Sequence, residues 1–76
     1  MPMIALPFES WRAIIDALRE KRLPYMLIHA DTIERSLDQH PPHPPLVALY
    51  LNDDVYLRSF NWARLELGIP LPPLER

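Results

Sequence analysis

A chain of 76 residues, 49% of them hydrophobic, is long enough for one small domain (1–76) and too apolar to stay disordered. Eight basic against ten acidic residues give a formal charge of -2, which leaves no cationic excess for a phosphate backbone and disfavours nucleic acid as a partner. Without cysteine there is no disulfide or thiolate chemistry, and with no secretory leader and no apolar run of bilayer length the expectation is a soluble, cytoplasmic protein with no membrane partner.

Ten prolines against one glycine divide the chain into short pieces joined by stiff corners, because proline fixes its own backbone and biases the preceding residue away from helix. The lead-in Met1 to Pro7 is apolar. Its Pro2-Met3-Ile4 start and the overall size resemble the small 4-oxalocrotonate-type tautomerases, which would make Pro2 a general base once the initiator methionine is removed. Pro7 and Pro24 depart from the long strand and unbroken helix of that family, so the enzyme reading stays a remote alternative.

Phe8 to Arg22 reads as the first helix. Phe8, Trp11, Ile14 or Ile15 and Leu18 recur at helical spacing, and Ser10 and Pro7 compete as its start. Lys21 and Arg22 suit the negative end of its dipole. For Leu23 to Gln39, one helix starting at Pro24 is favoured, with Met26, Ala30, Ile33 and Leu37 as its stripe. The competing reading is a strand over Tyr25 to His29 followed by a helix from Asp31. The first two helices would form an antiparallel hairpin.

His40 to Pro45 is a stiff proline-rich linker. His40 and His43, with His29 and Asp38 as further donors, do not make the rigid set of ligands that zinc requires, and no metal or cofactor is expected. Leu46 to Leu51 is an apolar run that suits a strand or a helical turn. Asn52 to Gly68 reads as the third helix, with Asn52 or Asp53 as N-cap, Asp54 meeting Arg58 one turn on, and Gly68 ending it before Pro70. On that helix Tyr56, Phe60, Ala63 and Leu67 make one stripe, and Val55, Trp62 and Leu65 fall on the opposite side. Residues 69–76 read as an extended tail.

The expected fold is therefore all-α, a small three-helix bundle with a proline-rich corner and an extended C-terminal tail; the alternative is α+β, two helices plus a β-hairpin near 46–60. No glycine-rich phosphate loop or nucleophile elbow is present, although Ser10, Ser36 or Ser59 could be set beside a histidine and an acid on paper. The functional expectation is a non-enzymatic protein–protein interaction module or accessory subunit that associates with itself or docks on another protein. Its expected anchors are Trp11, Tyr56, Phe60 and Trp62, since aromatic side chains give large contact area at low entropy cost. A small transcriptional or antitoxin-like regulator is the alternative, and it would need a basic face drawn from Arg19, Lys21, Arg22 and Arg35.

Overall fold

The computed structural model describes residues 2–41 and 45–71. They form β1 (Met3–Leu6), α1 (Phe8–Lys21), α2 (Pro24–Asp38), β2 (Val47–Tyr50) and a continuous third helix, α3 (53–67). Three parts make up α3: an α-helical turn Asp53–Val55, a π-helical turn Tyr56–Phe60 and the α-helical Asn61–Leu67. His43, the middle of the 40–45 linker and the tail beyond Leu71 lie outside the described residues.

The protein is mostly helical, as expected, but the helices do not make an all-α bundle. β1 and β2 pair as a two-stranded antiparallel sheet with Met3 opposite Tyr50, Ile4 opposite Leu49, Ala5 opposite Ala48 and Leu6 opposite Val47. The alternative hairpin near 46–60 is thus half present. β2 is the strand it required, but the partner is the N-terminal lead-in and residues 55–60 are helical. Asn52 decides this locally: its Oδ1 accepts the Val55 N–H at 2.9 Å, closing a helical turn where a tight β-turn would want glycine.

Local chemistry sets the other boundaries. Pro7 ends β1, and its carbonyl accepts the N–H groups of Ser10 (3.0 Å) and Trp11 (3.2 Å), so it is the N-cap of α1 and Ser10 is not. Arg22 closes α1 in the left-handed region at φ 59°, and Leu23 then leads into Pro24 at the first turn of α2. That helix is continuous from Pro24 to Asp38, as its unbroken stripe predicts. Gly68 ends α3 at φ 71°, where the Ile69 N–H reaches the Arg64 carbonyl at 2.8 Å.

Alternation along the strands places Ile4, Leu6, Val47 and Leu49 on the inner face of the sheet, against Trp11, Ile14, Ile15 and Leu18 of α1 and Met26, Ala30, Ile33 and Leu37 of α2. The Trp11 indole N–H donates to the Val47 carbonyl at 2.9 Å, tying α1 to β2 through the core. On the solvent side, Glu34 of α2 accepts from Arg12 at 2.7 Å and from Arg19 at 2.7 Å, and Arg19 also donates to Asp31 at 2.9 Å. These bonds hold the α1–α2 hairpin at its surface.

Candidate functional site

The polar side chains buried in the described core are His29 and Ser59, and they meet. His29 projects from α2 with Met26, Ala30 and Ile33, on the face that packs inward. Ser59 lies in the π-helical turn of α3, where the Asn61 N–H bonds to the carbonyl of Tyr56, five residues back. Five residues span well over one turn of an α-helix but about one turn of a π-helix, so the wider turn brings positions five apart onto one face. Two consequences follow for this sequence. Val55 and Phe60 turn inward together, and the exposed Asp54 comes to the same side of the helix as the buried Ser59, so that both reach His29.

This revises the expected stripe. Val55 joins Phe60 and Ala63 in the core, Tyr56 and Trp62 are half-buried, and Leu65 and Leu67 face solvent. A regular α-helix would have separated Val55 from Phe60.

At the meeting point the Ser59 hydroxyl lies 2.5 Å from His29 Nδ1, and His29 Nε2 lies 3.1 Å from Asp54 Oδ2. The two ring nitrogens thus each have a polar partner, the Ser59 hydroxyl on one side and the Asp54 carboxylate on the other. A second ring of contacts closes around the histidine. Tyr25 meets it edge-on at 5.8 Å, the Arg58 guanidinium lies 4.3 Å over the Tyr25 ring, and Arg58 reaches Asp54 at 3.6 Å. No buried side-chain nitrogen or oxygen among the described residues lacks a partner.

These are the residue types of a nucleophilic triad, but their setting is that of a clamp. A catalytic serine must present its oxygen to a carbonyl with oxyanion donors beyond it, whereas Ser59 is 0% exposed and bonded to His29. The Asp54 carboxylate, on the far side of the ring, is largely solvent-facing. An open depression elsewhere on α2, lined by Ile28, Asp31, Glu34 and Arg35, touches none of the three. The cluster therefore joins α2 to α3 and fixes the register of the π-turn. Ser59 was legible in the sequence only as one of several serines, because the spacing of Asp54 and Ser59 makes sense only on a π-helix.

The expected aromatic anchors divide into two groups. Trp11 and Phe60 are each 0% exposed and pack together with ring centroids 5.6 Å apart, so neither offers area to a partner in this structure. Tyr56 packs edge-on against Phe60 at 5.7 Å, and Trp62 lies beneath the Lys21 ammonium, 5.2 Å from its ring centroid; both keep part of their surface accessible. The cations expected for a regulator are occupied in part: Arg19 is bound to Glu34 and Asp31, which raise its already high pKa, and Lys21 covers Trp62. Among the described residues no three histidine, cysteine or acidic side chains converge as a metal site would need.

Apolar surface is instead exposed on the sheet. The outer face carries Met3, Ala5, Ala48 and Tyr50, with Leu46 continuing the alternation. Met3, Leu46 and Tyr50 are 52%, 56% and 63% exposed. No residue from Pro2 to Phe8 or from Leu46 to Leu51 carries a charge.

No protein family, curated protein or solved structure matches this chain. No helix among the described residues is long and apolar enough to cross a membrane.

Proposed function

We propose that the protein is a small, non-enzymatic protein–protein interaction module or accessory subunit whose contact surface is the β1–β2 ribbon. The observation that carries this reading is the uncharged outer face of the ribbon, with Met3, Leu46 and Tyr50 each more than half exposed. Contiguous apolar surface of this kind is stabilised by a polypeptide that excludes water from it. Tyr56 and Trp62, the expected anchors with accessible area, are secondary contributors. The interior polar cluster supports the same reading, since its serine has no route to a substrate.

Light scattering over a concentration series, paired with binding of a hydrophobic dye, tests the reading. Association is expected as mass rising above 8.9 kDa with concentration. A fixed 8.9 kDa with dye binding that is lost in Tyr50→Lys would mean the ribbon docks on a different protein. A fixed 8.9 kDa without dye binding would contradict the module reading altogether.

A further inference from the structure

Among the described residues the outer edge of β1 has no strand partner, and an open edge of this kind can pair with a copy of itself. The Leu51 N–H donates to the Pro2 carbonyl at 3.0 Å, which makes Pro2 and Leu51 a hydrogen-bonded pair. Alternation in an antiparallel ladder then makes Ile4–Leu49 and Leu6–Val47 the other bonded pairs. The backbone N–H and C=O groups of Met3 and Ala5 therefore point away from β2, along the outer edge of β1. β2 also packs against α2, whereas the principal contact of β1 is β2 itself.

Edge strands of monomers are commonly guarded by charge, a bulge or an inward-pointing polar group. β1 carries no charge, bulge or inward polar group; its guards are its four-residue length and the bracketing Pro2 and Pro7, which leave the outward groups of Met3 and Ala5 unblocked. The prolines do fix its length, which limits the registers open to a partner strand.

We propose that β1 pairs with β1 of a second copy of this chain, antiparallel about a two-fold axis at Ile4, so that two ribbons become one continuous four-stranded sheet. This deepens the interaction-module reading and rests on it. In that register Met3 faces Ala5 of the partner and Ala5 faces Met3 of the partner, so both residues exchange their free N–H and C=O groups across the axis. Side-chain size agrees with the pairing. The long Met3 lies beside the small Ala5 on the outer face, while Ile4, at the axis, keeps its side chain in the core of its own chain. With no charge on the strand, two copies meet without repulsion, and a charged partner peptide would gain nothing from it. An interface built on so short a strand lies at the small end of specific interfaces, so the dimer forms at concentrations of roughly 10 µM to 1 mM.

The test uses the full chain and two substitutions, read by light scattering over that range. Ala5→Pro removes an outward N–H while leaving every β1–β2 bond in place. Tyr50→Lys charges the outer face directly opposite Met3 without touching the β1 edge. The expected result is wild type and Tyr50→Lys both rising toward twice 8.9 kDa, with Ala5→Pro remaining at 8.9 kDa. The reverse pattern, with Tyr50→Lys monomeric and Ala5→Pro dimeric, would overturn edge pairing in favour of face-to-face stacking and leave the module reading standing. A wild type fixed at 8.9 kDa would overturn the inference, with dye binding deciding the module reading separately. If circular dichroism shows Ala5→Pro unfolded, Met3→Pro, which likewise removes an outward N–H and no β1–β2 bond, takes its place with the same expectations.

Discussion

The His29–Ser59–Asp54 cluster and the β1–β2 ribbon invert the usual arrangement of polarity. One places polar groups inside the protein and the other places apolar groups outside it. The cluster is closed: each buried polar atom has a partner, and the π-turn that sets its geometry also delivers Phe60 to the core. The ribbon is open, with apolar side chains in solvent and backbone groups directed outward from β1. Burying a polar group is tolerated when its bonds are complete, and exposing apolar surface is tolerated when another surface covers it. The first condition is met within this chain; meeting the second is the role proposed for a partner at the ribbon.

Substitutions at the two regions should differ accordingly. The largest effect is expected at Phe60→Ala, which empties the position where the π-turn meets Trp11; a fully buried phenylalanine removed in this way costs about 3–5 kcal/mol. Urea unfolding should show the midpoint collapsing, and a variant close to wild type would mean that Phe60 is not packed as described. Ser59→Ala should cost about 1–3 kcal/mol, because His29 Nδ1 loses its hydrogen-bond partner inside the core. A smaller loss than that of an exposed serine would show that water reaches the histidine and that the cluster is open.

The surface latch between α1 and α2 ranks next. Its arginines hold the Glu34 carboxyl down from an ordinary 4.5 to about 2. A lowered pKa in the folded state means stability that is present above pH 4.5 and lost as pH falls through about 2. Glu34→Gln should therefore lower the melting temperature at neutral pH by less than Ser59→Ala does, and flatten its fall between pH 5 and 2. An unchanged pH profile would remove Glu34 from the account. The smallest effect on folding is expected at Tyr50→Lys on the ribbon, within about 0.5 kcal/mol, since its ring already faces water. A larger loss would mean that Tyr50 belongs to the core.

Much of the fold was legible where side-chain period and punctuation agree. The α1 and α2 stripes, the proline starts, the Asn52 cap and the Gly68 stop are all local signals, and the structure uses each of them. The sheet was not legible, because β1 is only four residues long and its partner begins more than forty residues later. A short apolar run states that it is buried without stating what it pairs with. The π-turn escaped for a related reason: a period of 3.6 was assumed, and the assumption moved Val55 to the wrong face and hid the spacing of Asp54 and Ser59. Aromatic content pointed to Trp11 and Phe60 as anchors, but large aromatic side chains fill cores as readily as interfaces, and in this small domain the core takes them.

The most direct measurement is residue-by-residue amide hydrogen exchange at low and high protein concentration. Edge pairing predicts that the Met3 and Ala5 amides exchange freely in dilute solution and become protected as concentration rises, while Ile4 and Leu6, already bonded to β2, change little. Met3 and Ala5 amides that exchange at one rate across the whole range, with wild type still associating, would contradict it.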